Sequence, residues 1–130
     1  MEFWERFPGA WEYARQNQTS PVTAMKQYEA WLKSLGGKYV HAAWPATFDM
    51  PFISYYFHRF LGYCPFGTAS LDLRSYAFCL LKRTSWEIST LGGLPSEWKI
   101  ENAHPHFAIH DAIAQGHLAC RLIIENLGVK

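Results

Sequence analysis

An α/β fold, with helices packed on a short sheet, is predicted for this sequence by three observations. The run 39–44 is short, mostly apolar and bounded by Gly36-Gly37 and Pro45, which is typical of a buried strand. A segment with helical periodicity follows it after a short loop, and a strand followed by a helix in this way is half of a βαβ unit. At 130 residues, of which 49% are apolar, the chain is long enough for one core, and residues 1–130 are interpreted as a single domain.

Capping residues and periodic apolar positions define the first elements in order. Residues 1–19 contain five aromatic residues without a sustained period and are expected to form an irregular lead-in. Ser20-Pro21 provides an N-cap and a first-turn proline for a helix that ends at Gly36-Gly37. After the strand, Thr47-Phe48-Asp49 begins a second helix, which ends at Gly62.

The second half of the chain continues the alternation of strand and helix. The run 66–71 is a candidate second strand, and a helix is expected to begin near Asp72. The segment 84–100 is rich in Gly and Pro and is expected to be a loop with one short helix. The last helix is predicted over Ala108–Leu127, before Gly128. Its broad inner face is expected to contain Ala108, Ile109, Ala112, Ile113, Gly116, Ala119, Leu122 and Ile123.

Composition excludes several classes of protein. Twelve Lys and Arg against eleven Asp and Glu give a net charge of +1, which excludes a strongly basic nucleic-acid module or an acidic tail that binds through net charge. No apolar run approaches the roughly 18 residues of a membrane span, and the acidic residues after Met1 do not suit a signal peptide, so a cytoplasmic protein is expected. The three cysteines, Cys64, Cys79 and Cys120, have no CxxC spacing and are interpreted as buried free thiols.

Two short motifs carry the functional interpretation. Thr47-Phe48-Asp49 follows the apolar strand, and His106 precedes Asp111 by five residues at the start of the last helix. Together these motifs resemble the second and third motifs of the DEDDh family of 3′-5′ exonucleases, over roughly residues 20–128. The resemblance implies a ribonuclease-H-like three-layer fold. It also implies a nucleic-acid substrate, RNA or single-stranded DNA, that is shortened from its 3′ end.

The resemblance assigns a role to six residues. It implies that Asp49 and Asp111 ligate a metal ion and that His106 is the general base that activates the attacking water. Phe48 and Phe52 would contact the terminal nucleotide, and Asp72 would have a structural or supporting role. Two divalent cations, Mg²⁺ or Mn²⁺, stabilise the attacking and leaving oxygens in such hydrolysis, and these hard cations prefer carboxylate oxygens.

The family's first motif, Asp-x-Glu on an opening strand, has no counterpart before Asp49. The sequence therefore resembles the C-terminal portion of such an exonuclease, with the opening strands missing. Two carboxylates remain where the family uses four, so we expect this chain to bind Mg²⁺ or Mn²⁺ weakly or not at all and to be inactive by itself. The alternative is a catalytically dead module that binds nucleic acid or a partner and acts as a homo-oligomer.

Two further patterns leave alternatives open. His104, His106 and His110 lie within seven residues, and His106 with His110, four residues apart, could share a zinc ion, although no Cys or Glu follows at a matching spacing. The aromatic cluster of Tyr55, Tyr56, Phe57, Phe60 and Tyr63 could stack on nucleotide bases, although helical spacing is more typical of a core.

Assembly is predicted from the strand at 39–44. Without an opening strand beside it, this strand leaves unpaired N–H and C=O groups next to apolar side chains such as Val40 and Trp44. A homo-oligomer is expected, in which the sheet edge or the aromatic lead-in is shared between chains.

Overall fold

The computed structural model describes residues 2–86, 90–99, 102 and 104–128. These residues form a mixed α/β structure that is mostly helical and contains one small parallel sheet, which confirms the predicted α/β class at this level. The helices are α1 (Glu2–Glu5), α2 (Pro8–Ala14), α3 (Pro21–Leu35), α4 (Ala46–Leu61), α5 (Leu73–Leu80) and α6 (Ala108–Leu127). The strands are β1 (His41–Ala43) and β2 (Ser70–Asp72).

The chain divides into two compact units. One spans Thr19–Asp72, and the other combines the described residues up to Gln18 with those from Leu73 onward. We call them the sheet unit and the helical unit. No helix in the described part of the chain is long and apolar enough to cross a membrane.

The sheet unit contains α3, β1, α4 and β2. Strands β1 and β2 are parallel, with His41 opposite Ser70 and Ala43 opposite Asp72. Both strands are shorter than the sequence predicts, and β2 begins at Ser70, near the end of the predicted run 66–71. Aromatic and aliphatic side chains from α3, α4 and the loop before β2 form its core, which comprises Met25, Leu32, Phe57, Cys64 and Phe66.

Local capping explains where the two long helices of the sheet unit begin and end. The Ser20 hydroxyl accepts a hydrogen bond from the Thr23 N–H at 3.2 Å, and Pro21 occupies the first turn of α3. Gly62 follows α4 in the left-handed conformation, with φ of 81°, which a residue without Cβ adopts at no steric cost. The predicted boundaries of α3 and α4 are therefore confirmed to within a residue or two.

The helical unit has its core between α5 and α6. Leu73 and Ala77 of α5 and Leu118 and Leu122 of α6 are buried. The structure corrects the predicted inner face of α6, because Ile109, Ile113, Gly116 and Ile123 are all exposed in the described chain. The helix has apolar residues on more than one side, and packing against α5 selects the side that contains Leu118 and Leu122.

The prediction of an irregular lead-in is wrong. Residues 2–5 and 8–14 are helical, and Pro8 begins α2 at the position where a missing N–H costs nothing. Both helices are too short for a 3.6-residue period to be visible in the sequence. Aromatic contacts hold them, including a Trp4–Trp11 pair with ring centroids 5.4 Å apart.

Two more predictions are revised by the structure. The described part of 84–100 contains two short 3-10 turns, Leu91–Gly93 and Ser96–Trp98, where one short helix was expected. All three cysteines are free thiols as predicted, but Cys79 and Cys120 are exposed and Cys64 is buried.

Asp72 links the end of β2 to the start of α4. Its Oδ2 accepts a hydrogen bond from the Ala46 N–H at 2.7 Å, which satisfies one of the free donors at the helix N-terminus. We expect Asp72→Ala to lower the free energy of unfolding by about 1–2 kcal/mol, because a helix cap and a charged acceptor are lost. Urea unfolding measures this loss. Asp72→Asn keeps an acceptor oxygen and should lose less, and equal losses for the two variants would contradict this role.

Candidate functional site

Asp111 lies in the first turn of α6, where its carboxylate closes the loop before the helix. Its Oδ1 accepts hydrogen bonds from Asn102 Nδ2 at 2.6 Å and from the backbone N–H of His106 at 3.2 Å. A negative charge at this position also interacts favourably with the positive end of the helix dipole. His106 and Asp111, predicted together from their spacing, are therefore in direct contact through the His106 backbone.

The side chain of His106 packs against the N-terminal helices. Its ring lies 4.0 Å from the Phe7 ring and 5.0 Å from the Phe3 ring, centroid to centroid. Its backbone has a φ of 68°, a left-handed conformation that is uncommon for a residue with a Cβ. The hydrogen bond to Asp111 and the two aromatic contacts hold this conformation in place.

A cavity of about 470 Å³ opens beside Asp111 and His106. Its apolar walls include Leu91, Leu94, Trp98 and Leu118, and its polar groups include Lys99, Asn102 and Gln115. A cavity with apolar walls and a few convergent polar groups is the usual form of a small-ligand site. No sequence pattern identifies Trp98, Lys99 and Asn102, because the segment before His106 has no periodicity and its residues come close to Asp111 only in the folded loop.

Asp49 is in the first turn of α4, in the sheet unit. Beside it, the Phe48 and Phe52 rings are 67% and 61% exposed and contact each other edge to face, with centroids 6.0 Å apart. Both aromatic side chains are thus free of the core, in contrast to Phe57 of the same helix, which is buried. Asp49 and Asp111 belong to different units, and the expectation that both ligate a metal ion stays a prediction.

The remaining aromatic residues of α4 and the loop after it divide between core and surface. Phe57 is buried and Phe60 is half-buried, whereas Tyr55, Tyr56 and Tyr63 are exposed. The core interpretation is confirmed for Phe57, and stacking of the exposed tyrosines on nucleotide bases stays a prediction.

His41 is a titratable residue of β1 that has no place in the two sequence motifs. Its Nδ1 is buried and has no hydrogen-bond partner in the described part of the chain. Burial lowers the pKa of His41 below its usual 6.5, and the negative charge of Asp49 partly offsets this effect. The position of a histidine within an apolar strand is the feature of the sequence that indicates a perturbed pKa.

This pKa predicts a pH dependence of stability. At a pH between the folded and unfolded pKa values of His41, the unfolded chain binds more protons than the folded chain. The free energy of unfolding should therefore fall as the pH drops below 6.5. We expect His41→Gln to remove this part of the slope. Asp49→Asn should extend the loss to lower pH, because the folded pKa falls further. Urea unfolding between pH 7.5 and 5 checks both variants, and an unchanged slope in His41→Gln would contradict the assignment.

The described residues do not by themselves form a metal centre. Within them, no group of three or more His, Cys, Asp or Glu side chains is placed to hold a metal ion. The three histidines of the zinc alternative, at positions 104, 106 and 110, form no such group. The carboxylates of Asp49 and Asp111 have the oxygen chemistry that Mg²⁺ prefers, but one oxygen of Asp111 is already engaged with Asn102 and His106.

Over 101 residues, the chain is 38% identical to the 3′-5′ DNA exonuclease Cap18 of Escherichia coli. The chain is similar to a 3′-5′ exonuclease. The alignment covers 75% of this chain and 54% of the relative, so the chain spans about half the length of that protein. No protein-family model matches the sequence.

Proposed function

We propose that this chain forms part of a 3′-5′ exonuclease-type site that binds the 3′ end of DNA or RNA. The similarity to a 3′-5′ DNA exonuclease carries the proposal, because it agrees with an interpretation made from two motifs alone. In this proposal the fold is ribonuclease-H-like, Asp49 and Asp111 are the metal-ligating carboxylates, and His106 is the general base. Phe48 and Phe52 contact the terminal nucleotide.

Three features of the structure support these roles. The Asp111 carboxylate is fixed by two hydrogen bonds and lines the cavity, as a preorganised ligand should. Asp72 binds the N–H of Ala46, three residues before Asp49 in the first turn of α4. This contact suits the supporting role proposed for Asp72. Phe48 and Phe52 are exposed next to Asp49, where they are free to stack on a base.

Divalent metal ions, when bound, would supply charge stabilisation for the attacking and leaving oxygens. The donor set of the described residues is incomplete for this purpose. We therefore propose that the isolated chain binds Mg²⁺ or Mn²⁺ weakly and hydrolyses nucleic acid at background rates.

A second candidate function is a nucleic-acid-binding module without catalysis. The contacts of His106 favour this second candidate. The His106 ring packs on Phe3 and Phe7, and its backbone N–H binds Asp111, so the residue has a structural role even without catalysis. The two candidates differ in their dependence on metal ions. If Asp49 and Asp111 share ions with the phosphates, Mn²⁺ should raise oligonucleotide affinity, and Asp111→Asn should abolish that increase.

The aromatic contacts are tested by oligonucleotide binding. We expect the double variant Phe48→Ala/Phe52→Ala to bind a fluorescent single-stranded DNA about 5- to 150-fold more weakly, since stacking contributes about 1–3 kcal/mol per base. Trp31→Ala removes an exposed aromatic side chain from α3 and is the matched control. Fluorescence anisotropy gives the affinities, and a loss of equal size in the control would contradict the proposed contact.

Activity is tested with the same DNA carrying a 5′ label, in Mg²⁺ or Mn²⁺. Background hydrolysis is the expected result. Metal-dependent shortening from the 3′ end that disappears in Asp111→Ala would show that the chain has a complete active site, and the expectation of inactivity would then be wrong.

A further inference from the structure

The outer side of α6 carries a continuous stripe of exposed apolar and small residues. We define the α6 stripe as Ile109, Ile113, Gly116, Cys120, Ile123 and Leu127, all of which are exposed. Their spacing alternates between four and three residues, which is the heptad spacing of a coiled-coil seam. At 1.5 Å per residue, the stripe is about 27 Å long.

The positions that flank the α6 stripe are uncharged or weakly basic. On one side lie Ala112, Ala119 and Asn126, and on the other lie His110, His117 and Ile124. The charged side chains of α6 are elsewhere on the helix, where Asp111 binds Asn102, and Arg121 pairs with Glu125 at 2.7 Å. When another helix covers the stripe, no charged side chain of α6 has to lose its water or face a like charge.

The order of side-chain sizes along the stripe is symmetric about its centre. Two large residues are followed by two small ones, Gly116 and Cys120, and then by two large ones. If a second copy of α6 runs antiparallel, Ile109 faces Leu127, Ile113 faces Ile123, and Gly116 faces Cys120. We propose that the α6 stripe is a self-association surface that binds the α6 of a second copy of this chain in an antiparallel, two-fold arrangement.

Helix dipoles favour this orientation over the parallel one. In an antiparallel pair the positive N-terminus of each α6 lies beside the negative C-terminus of its partner, whereas a parallel pair places like ends together. Small residues at the centre, Gly116 and Cys120 with Ala112 and Ala119 beside them, allow the two helices to approach closely. A second copy is therefore matched to this surface in both size and charge.

The area of the stripe sets the expected strength of the dimer. A face about 27 Å long and about 10 Å wide covers about 270 Å² per chain. The two chains together would bury about 540 Å², which is below the roughly 1,200–2,000 Å² of total area buried in stable complexes, so the dimer should be transient. This inference stands apart from the exonuclease proposal, since it uses no residue assigned to binding or catalysis.

Sedimentation equilibrium of the full chain between 5 and 200 µM tests the proposal. The mass should rise with concentration from 15.0 kDa toward twice that value. Ile113→Lys should weaken the association at least 10-fold, because each dimer then buries two charges opposite Ile123. Val40→Lys is the matched control, since it adds a charge to another exposed β-branched residue, next to β1.

Three outcomes would overturn the proposal. One is a wild-type mass that stays at 15.0 kDa at every concentration. Another is an association that Ile113→Lys leaves unchanged. The third is an association that Val40→Lys weakens as strongly, which would instead favour pairing at the sheet edge.

Cysteine cross-linking tests the antiparallel register, in a Cys79→Ser background that removes the other exposed thiol. One chain keeps Cys120, and the other carries Gly116→Cys with Cys120→Ser. A Cβ built at Gly116 meets no atom within 4 Å, so the substitution has room. Under oxidation the mixture should form disulfide dimers and each chain by itself should not. Cross-linking of each chain by itself would show a parallel pair, and no cross-linking in the mixture would overturn the register.

Discussion

Phe57→Ala is expected to lower the free energy of unfolding of the sheet unit by about 3–5 kcal/mol. Phe57 is fully buried, and its ring lies 5.3 Å from the Tyr28 ring and 6.0 Å from the Phe66 ring. Replacement by Ala removes these contacts and leaves a cavity in the centre of the core that joins α3, α4 and the loop before β2.

Amide hydrogen exchange of α4 measures this effect within the unit itself. Tyr55→Ala, two residues away in the same helix, removes an exposed ring and should change stability by less than about 0.5 kcal/mol. Phe57→Leu should give an intermediate loss, because it keeps most of the buried volume. A loss below about 1 kcal/mol for Phe57→Ala would mean that the core of the sheet unit is assigned wrongly.

Asp111→Ala has the second large expected effect, a loss of about 2–4 kcal/mol around the start of α6. Two donors, Asn102 Nδ2 and the His106 N–H, lose a charged acceptor together, and hydrogen bonds to charged groups contribute about 1.5–3 kcal/mol each. The left-handed backbone of His106 also loses a contact that holds it. The expected loss of stability is smaller than the sum for two such hydrogen bonds, because water replaces part of the lost interaction.

Hydrogen exchange of the first turn of α6 reports this loss directly. Asp111→Asn is the matched variant, since its side-chain oxygen still accepts a hydrogen bond but carries no charge. We expect it to retain about half of the stability that Asp111→Ala loses, and to lose any Mn²⁺-dependent gain in oligonucleotide affinity completely. Equal protection of α6 in wild type and Asp111→Ala would contradict a structural role for this carboxylate.

The two effects bear on function in different ways. Phe57 supports the helix that presents Asp49, Phe48 and Phe52, so its loss should weaken nucleic-acid binding in proportion to unfolding. Asp111 contacts the cavity itself, so its replacement by Asn should affect metal-dependent binding while the chain remains folded. Comparison of stability with affinity in the same variants therefore separates a structural contribution from a contribution to the site.

Part of the candidate site follows from the sequence because its signals are short in range. His106 and Asp111, five residues apart at a helix start, lie close together, and the His106 N–H donates a hydrogen bond to the Asp111 carboxylate. Their roles as general base and metal ligand stay predictions. Asn102 donates to the same carboxylate from nine positions away, across a loop with no periodic pattern. No local rule identifies such a partner, because the path of the loop is determined by how its apolar residues pack.

The sequence by itself determined the class of the fold and the ends of its main helices. Ser20, Pro21, Gly62 and Gly128 act on backbone groups within one turn, so their effect does not depend on the rest of the molecule. Tertiary structure decided which faces are buried. Helix α6 has apolar side chains around much of its circumference, and the packing of α5 on one side makes Leu118 and Leu122 interior while Ile109 and Ile113 stay exposed. Burial is a property of a pair of surfaces, and the sequence of one helix specifies only one of them.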